Sequence, residues 1–227
     1  MNEAPPKSQT ILSLTILLLV IVCGHPAYPG ILPLDQVVMK VQSRYDQTQD
    51  LQADFTQRAT IKSVNQTLTE EGTVFFKKPK RMLWEYRTPS NKKMVITPAK
   101  AWLYIPEDDI VYVQDAEKVI TSKMIVRFIT GIGQLKEDFT LAFSPQHPTD
   151  DEGNYVIRLT PRSRDIGVET LRMTIDKNTF YIVDFSFTDL YGNVTSLTFK
   201  NMKTNIALPD TLFTFTPPEG AQIYEVP

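Results

Sequence analysis

The sequence predicts a mainly β protein with helices, built on a curled antiparallel sheet or barrel. Three observations carry that expectation. From Leu51 to the C-terminus, short segments alternate apolar and polar residues with the period of two that a half-buried strand requires. Turn signals such as Lys78-Pro79, Pro89-Ser90-Asn91, Glu152-Gly153-Asn154 and Tyr191-Gly192-Asn193 separate these segments by spacers short enough for hairpins. About eleven or twelve strands in succession curl or close rather than stay flat.

The chain opens with a mostly apolar run of 13 residues, 11–23. As a helix it spans about 20 Å, short of a bilayer core of ~30 Å. Lys7 precedes it, and Pro26 and Ala27 follow. This is the pattern of a secretory signal peptide over 1–27, leaving 28–227 as one domain, exported to the periplasm or beyond. Two other readings stay open: an uncleaved anchor, or a lipoprotein lipidated at Cys23. Val22 stands where the lipidation pattern calls for a small residue.

Leu34, Val37, Val38, Val41 and Tyr45 recur with helical spacing, with Asp35, Lys40, Gln42, Arg44 and Asp46 on the other face, so an amphipathic helix comes first. Strands are expected at 51–62, 68–77, 82–87, 93–97, 101–105, 110–114, 139–144, 155–161, 170–176, 182–189, 194–202 and 212–217. Between 116 and 135 the spacings Ile120/Met124/Phe128 and Ile125/Ile129/Ile132 are helical, and Gly131 and Gly133 end the run. Alternation places Val74, Phe76 and Lys78 on one face, then Met82, Trp84 and Tyr86, then Tyr155, Ile157 and Leu159, then Leu171, Met173 and Ile175, with Phe185 and Phe187, and Leu197 and Phe199, as further sets. All these apolar faces point inward. A solid core and an apolar cavity for a lipid-like ligand both fit the pattern.

Chemistry is sparse. With 26 acidic and 24 basic residues the net charge is −2, so nucleic acid is not an expected partner. The only cysteine is Cys23 and the only histidines are His25 and His147, which leaves no disulfide framework and no Cys/His zinc site. His147 lies in a turn-like Ser-Pro-Gln-His-Pro stretch, so neither an enzyme nor a cofactor site is expected. Glu107-Asp108-Asp109 and Asp150-Asp151-Glu152 read as solvated turns, and Lys77, Lys78, Lys80 and Arg81 as a basic corner, either solvated or touching anionic headgroups.

Several stretches, in order, resemble the LolA family of outer-membrane lipoprotein carriers. They are Leu51-Gln52-Ala53-Asp54-Phe55-Thr56-Gln57, Glu71-Gly72 through Lys77-Lys78-Pro79, Met82-Leu83-Trp84-Glu85-Tyr86, Ala101-Trp102-Leu103-Tyr104, Asp189-Leu190-Tyr191-Gly192-Asn193, and Phe213-Thr214-Phe215-Thr216-Pro217-Pro218-Glu219-Gly220. The resemblance implies an unclosed antiparallel β-barrel covered by an α-helical lid, with an apolar cavity inside. It implies a monomeric periplasmic carrier. Acylated lipoproteins would come from an inner-membrane lipoprotein-releasing ABC transporter and pass to an outer-membrane lipoprotein acceptor. A membrane-anchored acceptor of similar fold, if Cys23 is lipidated, and a non-carrier envelope protein that senses lipid or lipoprotein are the competing functions. On this resemblance Phe76, Met82, Trp84, Tyr86, Leu159, Phe185 and Phe187 line the acyl-chain cavity. Val37, Val38, Val41, Met124, Ile125, Phe128 and Ile129 form the lid, and Lys78 is its latch, standing where the family commonly has arginine. Between 116 and 135 the chain shares little with the family beyond helical, apolar character.

Overall fold

A computed structural model describes residues 30–122, 139–163 and 167–226. The chain separates into two units, Met1–Ile31 and Leu32–Pro227, and the fold described below is that of the second. The expected signal peptide, 1–27, lies outside the described residues. Among the described residues no helix is long and apolar enough to cross a membrane.

Helix α1, Leu34–Gln47, leads. Strands β1 (Asp50–Ile61), β2 (Gln66–Lys77), β3 (Arg81–Thr88), β4 (Lys92–Ile96), β5 (Lys100–Ile105) and β6 (Ile110–Asp115) follow as successive hairpins. After α2 (Ala116–Ser122) come β7 (Phe139–Phe143), β8 (Tyr155–Pro161), β9 (Val168–Ile175), β10 (Ile182–Asp189) and β11 (Val194–Thr204). All form one twelve-stranded sheet in the order β12-β6-β5-β4-β3-β2-β1-β11-β10-β9-β8-β7, where β12 is Gln222–Glu225. The two hairpin series join where β11 returns to pair with β1. The sheet is unclosed: β12 and β7 are its edges.

Two expectations fail at the C-terminus. Residues 212–217 form no strand; a 3-10 turn, Asp210–Phe213, and irregular chain take their place. Pro209, Pro217 and Pro218 remove backbone donors that a ladder needs. Second, β12 pairs with β6 in parallel, so the sheet is not antiparallel throughout.

The misread segment covers the outer face of the first hairpins. Leu208 and Phe213 form a buried cluster with Leu83 and Val95, against which Phe75, Trp102, Leu212 and Phe215 pack. Polar contacts fasten it there. Lys77 Nζ donates to the Leu208 carbonyl and pairs with Asp210, each at 2.5 Å. The Asp50 carboxylate accepts the Ile206 and Leu208 amides at 2.8 and 3.3 Å. The basic corner is therefore mostly engaged within the protein rather than solvated: Lys77 and Arg81 face Asp210, and Lys78 faces α1.

Candidate functional site

Directly paired residues in an antiparallel ladder share a face, so the observed registers fix which side chains meet. Phe76 pairs with Met82 and Val74 with Trp84 between β2 and β3, and Gly72 with Tyr86. Across β1 the same face continues through Ala53 and Phe55 to Phe199 on β11. It then passes from Leu197 to Phe185, from Phe185 to Met173, from Phe187 to Leu171, and from Leu171 to Leu159. All seven residues assigned to the cavity from sequence thus lie on one face of the sheet. Phe76, Met82, Trp84, Leu159 and Phe185 are buried, and Tyr86 and Phe187 are half-buried.

Phe55 is the aromatic hub of this face. Its ring meets Trp84 at 4.9 Å and Tyr86 at 5.0 Å, both edge-on. The packing depends on Gly72: a Cβ there would stand 2.0 Å from the Glu85 carbonyl oxygen and 2.8 Å from the Phe55 ring. Beside Tyr86 the face ends in a polar margin. Buried Glu70 accepts from Gln57 Nε2 at 3.1 Å and from Lys92 Nζ, and Lys92 lies 4.3 Å from the Tyr86 ring centroid. Burial, then the Glu70 carboxylate, pushes the Tyr86 hydroxyl well above its ordinary pKa.

Helix α1 crosses the same face over β7–β9. Val38 and Val41 close an apolar crevice with Leu141, Ile157, Leu159, Met173 and Ile175, of about 10 Å³. That is about the room of one water molecule. The two halves of α1 are held differently. Near its N-terminus Val37 and Val41 are buried, and no side chain caps the first turn, which begins at Pro33. The C-terminal half carries a set of polar contacts. Lys78 Nζ donates to the carbonyls of Tyr45 and Asp46 at 2.9 and 2.8 Å. Both carbonyls lie in the last turn, where a cation suits the helix end, and that of Tyr45 also accepts the Thr48 amide at 3.2 Å. Arg44 Nε donates to the Thr179 carbonyl at 2.9 Å, and the Thr48 and Tyr181 hydroxyls are bonded at 2.8 Å. The Tyr45 hydroxyl accepts the Ile182 amide at 3.3 Å, and burial holds its pKa far above the ordinary value.

Of the expected lid, Val37, Val38 and Val41 are on α1, and Met124, Ile125, Phe128 and Ile129 lie outside the described residues. Sequence reasoning missed the polar margin, because nothing in Lys92-Lys93 marks one of the pair as half-buried. It also left Phe55 out of the site, although the alternation Leu51, Ala53, Phe55 carried the signal.

Residues 46–216 match the family described as outer membrane lipoprotein carrier protein LolA. The chain belongs to the LolA family. Proteins named outer-membrane lipoprotein carrier protein are similar along most of their length. That of Methylococcus capsulatus is 26% identical over 82% of this chain and 86% of its own. That of Dechloromonas aromatica is 28% identical over 78% and 81%. Among solved structures, an uncharacterized conserved protein from Thermus thermophilus superposes with a TM-score of 0.56 at 14% identity, over 85% of this chain and 98% of the other, a likeness of fold. In this LolA-family chain the match runs from the end of α1 through the segment that covers the outer face.

Proposed function

We infer that this chain is a periplasmic carrier of acylated lipoproteins, which holds their acyl chains against the inner face of its sheet. The observation that carries this reading is the continuous apolar face from Phe76 and Trp84 to Phe185 and Leu159, in a chain of the LolA family. Each acyl methylene buried there contributes about 0.8 kcal/mol, so binding needs no covalent step, and the protein acts as a chaperone rather than an enzyme.

The crevice of about 10 Å³ is the starting point of the cavity rather than its full extent. Acyl chains enter by lifting the N-terminal half of α1 from the face. The C-terminal half of α1 stays pinned by Arg44 and Tyr45 and serves as the pivot. Lys78 is the latch: its two bonds to the end of α1 break as the helix lifts, and so favour the closed, empty form. An inner-membrane ABC transporter loads the carrier, and an outer-membrane acceptor that binds the chains at least as well unloads it.

The test is co-expression with an acylated lipoprotein and with the same protein lacking its acylated cysteine. The carrier is expected to co-purify with the acylated form only. Equal recovery of both forms, or of neither, contradicts the reading. The mass of the mature protein checks export: cleavage near Ala27 without lipid fits a soluble carrier, and a diacylglyceryl group on Cys23 does not.

A further inference from the structure

Among the described residues, one buried side-chain polar atom stands without a hydrogen-bond partner, the indole Nε1 of Trp84. A buried tryptophan N–H ordinarily finds an acceptor, and leaving it desolvated and unpaired is costly. Trp84 is 1% exposed and sits mid-strand in β3, whose backbone groups are committed to the ladders with β2 and β4. Its cross-strand neighbours on the inner face are Val74 and Met94, and the Phe55 ring stands edge-on to it. None of the three side chains carries an oxygen. Among the described residues none offers the missing acceptor, which leaves it to whatever enters this face.

We propose that Trp84 Nε1 donates a hydrogen bond to the acyl carbonyl oxygen of a bound lipid chain. The inference rests on the carrier reading above and adds the one polar contact that fixes how deep the chains sit. The position of Trp84 supports it. Tyr86 lies two residues further along the same face, about 7 Å at the rise of a strand, and there the polar margin of Glu70, Lys92 and Gln57 begins. A carbonyl at Trp84 leaves the chain's methylenes on the apolar part of the face and turns the lipid's polar end toward that margin. A triacylated lipoprotein offers acyl carbonyls of two kinds with this chemistry: the two glycerol esters and the amide on the N-terminal cysteine.

The experiment compares binding of two triacylated S-glycerylcysteine lipopeptides. In one the glycerol chains are ester-linked; in the other they are ether-linked, with the amide intact. The native protein is compared with Trp84→Phe and with a variant carrying 3-benzothienylalanine at 84, which keeps the ring shape and replaces the N–H by sulfur. If the ester is the acceptor, the native protein prefers the ester lipopeptide by about fivefold, the factor one net hydrogen bond supplies, and both variants lose the preference. If the amide is the acceptor, the native protein binds both lipopeptides equally and the isosteric variant binds both about fivefold more weakly. An isosteric variant that binds both as the native protein does overturns the inference while the carrier reading stands, as does one that keeps a native ester preference. A native protein that binds neither lipopeptide overturns the carrier reading and this inference with it.

Discussion

The two halves of the sheet are built differently. Strands β2–β5 are covered on both faces, so their apolar residues run together: Val74-Phe75-Phe76, Met82-Leu83-Trp84 and Met94-Val95-Ile96. Strands β8–β10 bury mainly one face: Ile157 and Leu159 flank exposed Arg158, Leu171 and Met173 flank exposed Arg172, and Phe185 alternates with Asp184 and Ser186, with only the Val156–Thr174 pair buried on the other side of β8–β9. The first half is a two-sided frame, fastened by Lys77, Asp50 and the 206–215 segment. The second is a single layer whose apolar face meets α1 across the small crevice. On the carrier reading, the outer cover of the first half keeps the sheet curled, and the inner face, which runs through both halves and lies under α1 in the second, takes the ligand.

Truncations on the two sides test that separation. Phe213→Ala empties the outer-face cluster and is expected to cost about 3–5 kcal/mol in urea denaturation, with acyl-lipopeptide affinity per folded molecule unchanged. Leu159→Ala enlarges an existing crevice, so the loss is nearer 2 kcal/mol, and here affinity does change. An affinity change for Phe213→Ala as large as that for Leu159→Ala would erase the distinction between outer cover and inner binding face.

A smaller effect is expected at Lys78, against the end of α1. Lys78→Leu removes two charge-assisted hydrogen bonds from a half-buried site, about 1 kcal/mol after allowance for solvent. Its functional signature is larger: the leucine variant retains cargo, whereas Lys78→Arg, with more donors in a fixed fork, transfers lipoprotein to the acceptor at least as well as the native protein. Equal transfer by all three would reduce Lys78 to a packing contact.

The smallest effect is acid lability, to which Asp54, Asp115 and Asp210 in the first half and its cover, all held low, contribute along with turn carboxyls of the second. In the β9–β10 turn, burial raises the pKa of Asp176, but hydrogen bonds from Thr179 and Asn178 outweigh it and hold the carboxyl below the ordinary range. Asp189 in the β10–β11 turn is held low in the same way: burial raises it, and Asn193, Tyr191 and Gly192 outweigh that. A lowered folded-state pKa gives stability that is present above the unfolded value and lost as pH falls through the folded one. Melting temperature is therefore expected to hold down to about pH 4 and to drop below it. Burial raises the pKa of Asp184, which works in the opposite sense and softens the drop. Asp176→Asn flattens the acid limb; an unchanged limb removes Asp176 from the explanation.

The same contrast decides how much was legible in the sequence. Strands β1 to β11 and helix α1 stand where alternation and helical spacing place them, within a few residues at their ends. The inner face was also readable, because Trp84, Phe185 and Leu159 each obey the period of two. What escaped was the outer cover. Leu212, Phe213 and Phe215 look like part of a strand by composition, and only long-range docking on Leu83 and Val95 makes them a cap. Leu83 was the available clue: an apolar residue between Met82 and Trp84 must meet a second layer. The parallel strand β12 is four exposed residues with no pattern of their own, fixed by the Gln222 amide on the Asp109 carbonyl at 2.8 Å. The inward direction of Lys78 was legible from Val74 and Phe76; its partner, the end of α1, was set by the fold.

The central claim, that acyl chains lie on the inner face and not on the outer one, is tested most directly by photocrosslinking in cells. A benzophenone amino acid replaces Leu159 or Phe187 on the inner face, or Phe75 or Trp102 on the outer face, while an acylated lipoprotein is co-expressed. Adducts with the lipoprotein are expected from both inner positions, to disappear when its acylated cysteine is removed, and to be absent from the outer pair. Adducts of equal yield from Phe75 and Trp102, or none from Leu159 and Phe187 in folded protein, would contradict the account.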